Sequence, residues 1–193
     1  VFTALAGEVA TRLDVEVRGE IAARDVRVLE LAALKGVFTD VFEDDVSYVN
    51  APLLASERGV EVRLQANPDS PDFRNLVTLR GTLADGRQVS VSGTLIGLKH
   101  SERIVDVDGF HLEIEPAEHM VALRFVDRPG VIGLVGRILG DSGMNIESMQ
   151  VSRDRQGGVA LVMLTISRAI TQSDLDELAR QTGAESARAI DLT

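Results

Sequence analysis

The chain has 193 residues, 45% of them hydrophobic and 26% charged, with a formal net charge of −10. This is a folded globular composition with room for one large domain or two small ones, and the absence of cysteine excludes disulfides, thiolate catalysis and zinc–cysteine sites. Basic residues number 12 against 21 acidic before His119 and 8 against 9 from there on, which gives no clustered cation surface for nucleic acid. Apolar runs such as Val159–Ile166 fall short of the roughly 18 residues a membrane-spanning helix needs. The chain opens on Val1 within what reads as a continuing helix, so we expect a fragment of something longer.

Phe2–Leu13 reads as the remnant of that helix. Asp14–Glu20 alternates as a strand, with Val15 and Val17 on one face. Val26–Phe42 carries apolar residues at helical spacing, among them Val28, Leu31, Leu34, Val37, Phe38 and Val41. Val46–Val49 reads as a short strand. Asn50-Ala51-Pro52 then starts a helix, with Asn50 as N-cap and Gly59 at its end. Val60–Ala66 alternates again. Leu76–Leu83 and Gln88–Ile96 are strands joined at Asp85-Gly86, and Ile104–Val107 and Phe110–Ile114 form a second hairpin around Asp108-Gly109. A polar break at Glu115–Glu118, with Pro116 unable to donate to a ladder, separates a first domain (residues 1–117) from a second (118–193).

The second domain alternates strand and helix. Met120–Val126 is a strand, and Asp127-Arg128-Pro129-Gly130 turns into an amphipathic helix that Gly143 stops. Asn145–Val151 is a strand, Asp154–Gly158 a turn, and Val159–Ile166 a central strand. Thr171 or Ser173 caps a second helix that Gly183 closes, and Ala187–Leu192 is the last strand. The order βαββαβ is ferredoxin-like. The fold class is therefore α+β: a mixed α/β domain with a largely antiparallel sheet, then a ferredoxin-like domain.

Chemistry concentrates at Asp127–Ile132. Pro129 in the first turn has no N–H to leave unpaired. The N–H groups of Gly130, Val131 and Ile132 face outward at the positive end of the helix dipole, where a carboxylate is accepted. Asp127 can pair with an ammonium, and Asn145 can both donate and accept. Together they complement a zwitterionic amino acid. The same residues have a plainer reading: Asp127 capping the helix and Asn145 holding a turn. Gly133, Gly136 and Gly140 lie inside an apolar helix at the wrong spacing for a dinucleotide loop, and Gly136 and Gly140 fit close packing better. The three histidines show no metal-ligand spacing.

The stretch Asp127-Arg128-Pro129-Gly130-Val131-Ile132 with Gly143-Met144-Asn145-Ile146 resembles the ACT domain, a family of βαββαβ modules that bind amino acids. Asn50-Ala51-Pro52-Leu53-Leu54-Ala55-Ser56-Glu57-Arg58-Gly59-Val60, with Ser92-Gly93-Thr94-Leu95 and Leu31–Gly36, resembles the intervening domain of the long bacterial D-3-phosphoglycerate dehydrogenases. The two resemblances span nearly the whole chain in the family's order. They imply a cytoplasmic regulatory fragment of that NAD-dependent oxidoreductase, with no catalytic residue and no cofactor of its own. They also imply L-serine as feedback effector at Asp127, Gly130, Val131, Ile132 and Asn145, and self-association through the ACT domain, with no nucleic-acid, membrane or metal partner.

Two positions depart from the family pattern. Phe125 stands where members often place His or Tyr, and a phenyl ring cannot hydrogen-bond a serine hydroxyl. Lys99, His100 and Arg103 are the one cluster comparable to the family's anion site, with Glu113 and Glu115 close in sequence and repulsive to phosphate. Two alternatives stay open: an assembly module with a decayed effector site, and the regulatory part of a serine dehydratase-type enzyme.

Overall fold

The computed structural model describes residues 1–39, 41, 45–154 and 158–192. Phe42 in the expected helix and the middle of the expected turn Asp154–Gly158 lie outside the described residues. The chain divides into two compact units, one formed by Phe2 and Ala6–Glu102, the other by Val1, Thr3–Leu5 and Arg103–Thr193.

α1 (Phe2–Ala6) is divided between the two units; the first unit holds β1 (Arg12–Gly19), a 3-10 turn at Glu20–Ala23, α2 (Arg27–Phe38), α3 (Ala51–Glu57), β2 (Glu61–Asn67), β3 (Asn75–Thr82) and β4 (Gln88–Ile96). Its strands run in the order β2-β1-β3-β4. β1 pairs antiparallel with β3, and β3 with β4, while β1 and β2 are parallel. A parallel pair needs a long crossover, and α2 with α3 supplies it. Val15 and Val17 of β1 are buried with Val26, against Leu29 and Ala33 of α2 and Leu64, Val77 and Leu79 of the neighbouring strands.

Three local expectations change. The first helix ends at Ala6 and does not reach Leu13. Thr11 already donates its N–H to Thr82, and Arg12 and Leu13 are committed to the ladder with β2 and β3. Tertiary pairing overrides helix propensity there. Val46–Val49 is not a strand: Val46 and Ser47 are irregular and lead into a turn at residues 48–50. The Asn50 side chain accepts from the Ser47 amide at 2.7 Å and hydroxyl at 3.0 Å, and donates to the Asp45 carbonyl at 2.9 Å. Such side-chain bonds compete with a strand ladder. The same bonds take Asn50 away from capping: it precedes α3, but its side chain bonds no amide of that helix.

The second unit takes in β5 (Ser101–Val107) from Arg103 onward, β6 (Phe110–Ile114), β7 (His119–Val126), α4 (Val131–Asp141), β8 (Ile146–Arg153), β9 (Val159–Ile166), α5 (Gln172–Thr182) and β10 (Ala184–Asp191). β7 to β10 form one sheet in the order β10-β7-β9-β8, with every neighbouring pair antiparallel. This is the ferredoxin-like arrangement. One sheet face, with Val121, Leu123 and Phe125 of β7 and Ala160, Val162 and Leu164 of β9, packs on Val131, Val135, Ile138 and Leu139 of α4 and Leu175 and Leu178 of α5. Met120, Leu161 and Met163 alternate to the other face and are buried as well. β9 thus reads as an apolar run, interrupted at Thr165 alone, because both its faces are covered.

Helix ends follow local chemistry. The Met144 amide bonds the Leu139 carbonyl and the Gly143 amide the Gly140 carbonyl, both at 2.9 Å, closing α4 in a Schellman motif. Thr171 caps α5 by accepting from the Asp174 amide at 3.2 Å. The Asp174 carboxylate accepts from Ser142 at 2.8 Å, which ties the end of α4 to the start of α5. Hydrogen bonds from Ser142 and Thr171 hold that carboxyl below its ordinary range.

Candidate functional site

At the end of β7 the chain leaves the sheet, and the Asp127 amide still bonds the Gly158 carbonyl at 3.1 Å. Pro129 and Gly130 then turn it into α4. Gly130 sits before the helix with φ +92, a left-handed conformation that glycine adopts without the Cβ penalty. No side chain caps this helix start. The amides of Val131, Ile132 and Gly133 have no acceptor within the helix, by the geometry of any α-helix start. They sit at the edge of a cleft of about 490 Å³ lined by Phe125, Asp127–Gly133, Val151 and Arg153.

Four of the lining side chains have a definite engagement. The Asp127 carboxylate does not cap α4; its Oδ2 lies 2.8 Å from Arg153 Nε, at the end of β8. Arg128 turns away from α4 and donates from Nη2 to the Thr182 carbonyl at 3.0 Å, at the C-terminal end of α5. A cation there suits the negative end of that helix. Phe125 is 1% exposed and belongs to the core, so its ring forms an apolar wall. The cleft therefore offers unpaired amides, one carboxylate, the Arg153 guanidinium and apolar walls, with the Arg128 guanidinium bonded to the end of α5.

The structure brings Asp127, Gly130, Val131 and Ile132 together. Asn145 is elsewhere. It lies just before β8, exposed, where its backbone exchanges hydrogen bonds with Ser167 at 3.1 Å each way. Asp127 is tied to Gly158 and Asn145 to Ser167, the two ends of β9. The eight residues of β9 separate them, nine chain steps or roughly 30 Å. No free amino acid spans that distance within one chain. Lys99 and His100 occupy the turn after β4, where the His100 amide bonds Gly97. Arg103 on β5 lies 3.0 Å from Glu115 and 3.8 Å from Glu113, so both carboxylates engage it.

Sequence reasoning missed Val151 and Arg153. Their place follows from the register: Arg153 pairs with Ala160 and Val126 with Val159, so the end of β8 lies beside the end of β7 across β9. A ferredoxin-like strand order carries that information in principle, but residue spacing alone does not.

Fold and cleft define a class: a βαββαβ module of ACT type, joined to an α/β domain with a mixed sheet. Residues 119–183 match the ACT domain, and residues 2–108 match the D-3-phosphoglycerate dehydrogenase intervening domain. The chain belongs to the D-3-phosphoglycerate dehydrogenase family and carries that intervening domain followed by an ACT domain. It is 39% identical over 189 residues to a D-3-phosphoglycerate dehydrogenase of Mycobacterium bovis, covering 98% of this chain and 36% of the relative. For the Mycobacterium leprae enzyme the identity is 40%, covering 86% and 32%; for the Bacillus subtilis enzyme it is 33%, covering 92% and 34%. The chain thus spans about a third of the length of these relatives. Among the described residues no helix is long and apolar enough to cross a membrane.

Proposed function

We propose that this chain is the regulatory part of a cytoplasmic, NAD-dependent D-3-phosphoglycerate dehydrogenase, and that it binds L-serine as a feedback effector. The observation that carries this reading is the uncapped start of α4 beside the Asp127 carboxylate, in one cleft. The serine carboxylate sits on the amides of Val131 and Ile132, and its ammonium on Asp127. Residues 1–117 act as the intervening domain and residues 118–193 as the ligand-binding ACT domain. Hydride chemistry and NAD belong to the remainder of such an enzyme: Gly133, Gly136 and Gly140 lie along α4 and do not form a dinucleotide loop.

The site is shared between two copies. Asn145, out of reach in its own chain, completes the cleft of a second copy. Gly133, Gly136 and Gly140 support this. All three are exposed on α4, and an added Cβ at any of them meets nothing within 4 Å. Each costs the helix up to about 1 kcal/mol relative to alanine, and close approach of another backbone is the usual return. Two α4 helices packed antiparallel along that stripe set the start of each near the end of the other. Twofold symmetry then generates two equal sites.

A second reading, assembly without an effector, draws on Phe125, whose buried ring offers serine no hydrogen bond. Calorimetric titration of the chain with L-serine decides between them. Saturable heat at millimolar serine or below is expected. No heat at that concentration, with sedimentation indifferent to serine, refutes the effector reading and leaves the assembly one.

A further inference from the structure

The cleft contains a cation that the serine reading does not use. Arg153, the last residue of β8, presents Nε at 2.8 Å from Asp127 Oδ2; the two side chains are 67% and 22% exposed. Asp127 therefore meets a ligand with its charge already matched. The Asp127 backbone is held at Gly158 while its carboxylate is drawn toward β8 and away from the bare amides of α4. The Arg153 backbone is likewise fixed, since its strand pairs with β9 at Ala160. The ion pair thus joins two anchored strand ends across the mouth of the cleft.

We propose that Arg153 competes with the ligand's ammonium group for Asp127: the Asp127–Arg153 pair closes the acidic end of the cleft and opens as an amino acid enters. This rests on the reading of the cleft as an amino-acid site. A guanidinium and an ammonium drawn to one carboxylate repel each other, so each weakens the other's hold. The competitor is mild because it is exposed to solvent, and such pairs contribute little. Arg153 is then an affinity- and specificity-setting residue. It handicaps ligands that need Asp127 and spares ligands that are carboxylates alone.

The test titrates the chain by calorimetry with two probes: L-serine and 3-hydroxypropionate, which is serine without its amino group. Arg153→Gln is expected to bind serine about two- to fivefold more tightly, the fold-change equivalent of an exposed ion pair. It is expected to give 3-hydroxypropionate no gain. Arg153→Lys keeps the charge and is expected to bind serine like the unsubstituted chain. An Arg153→Gln chain that melts normally but binds serine no more tightly, or less, overturns the proposal. So does an equal gain for both probes. If the unsubstituted chain binds serine and Arg153→Gln changes nothing, this inference alone falls. If neither chain binds serine, the effector reading falls and takes the inference with it.

Discussion

Mixing two defective chains tests the shared site directly. Asp127→Ala removes the ammonium partner, and Asn145→Ala removes the bifunctional amide. Each deletes a hydrogen bond to a charged ligand group, worth about 1.5–3 kcal/mol, so each alone is expected to weaken serine binding roughly 10- to 150-fold. The roughly 30 Å between the two residues, nine chain steps along β9 from Gly158 to Ser167, makes one chain unable to use both on one ligand. In a twofold dimer, each site draws Asp127 from one copy and Asn145 from the other. A dimer of one Asp127→Ala chain with one Asn145→Ala chain then has one doubly defective site and one intact site. Equal amounts unfolded and refolded together give mixed dimers as about half the population, so about a quarter of all sites regain unsubstituted affinity. Calorimetry reads this as a tight class of sites at that stoichiometry, absent from either parent. A refolded mixture that binds no better than its parents refutes the shared site. Full binding by Asn145→Ala alone shows that Asn145 takes no part.

Two further outcomes concern the first unit. Gly19→Ala is expected to destabilise the chain by more than about 2 kcal/mol in urea unfolding, because a Cβ there would lie 2.1 Å from the Arg74 carbonyl oxygen at φ +93; a loss below about 0.5 kcal/mol refutes that local geometry. Burial pushes the Glu16 carboxyl up, but hydrogen bonds from Arg18 at 2.6 Å and Arg80 at 2.7 Å outweigh it and hold the pKa below 4.5. A depressed carboxyl contributes stability that is fully present above its unfolded pKa and lost as pH falls through the folded one. Unfolding free energy is therefore expected to fall below about pH 4.5, and Glu16→Gln to cost about 1–2 kcal/mol at pH 7 and to flatten that acid limb. An unchanged limb in the variant refutes the assignment.

Much of this was legible in the sequence where short-range chemistry decides the outcome. The ends of α4 and α5 were read from Gly143, Thr171 and Gly183, and the hairpin at Asp108-Gly109 from turn preference; the structure has both residues at positive φ. The start of α4 was legible because Pro129-Gly130 must turn there. Asn145 was legible as a polar residue but not as a distant one. Val46–Val49 shows the reverse failure: its valines and tyrosine favour a strand, but Ser47 and Asn50 satisfy one another first.

By itself, then, the sequence determined the order of elements in the second domain, its βαββαβ pattern, and Asp127 and the start of α4 as groups that could meet an amino acid. These follow from periodicity and from bonds made within a few residues. Only the tertiary structure decided that Asp127 faces Arg153 and not its own helix, and that Asn145 lies at the far end of β9. Those facts depend on strand order and register, which join residues far apart in the chain and leave no spacing for a sequence to display.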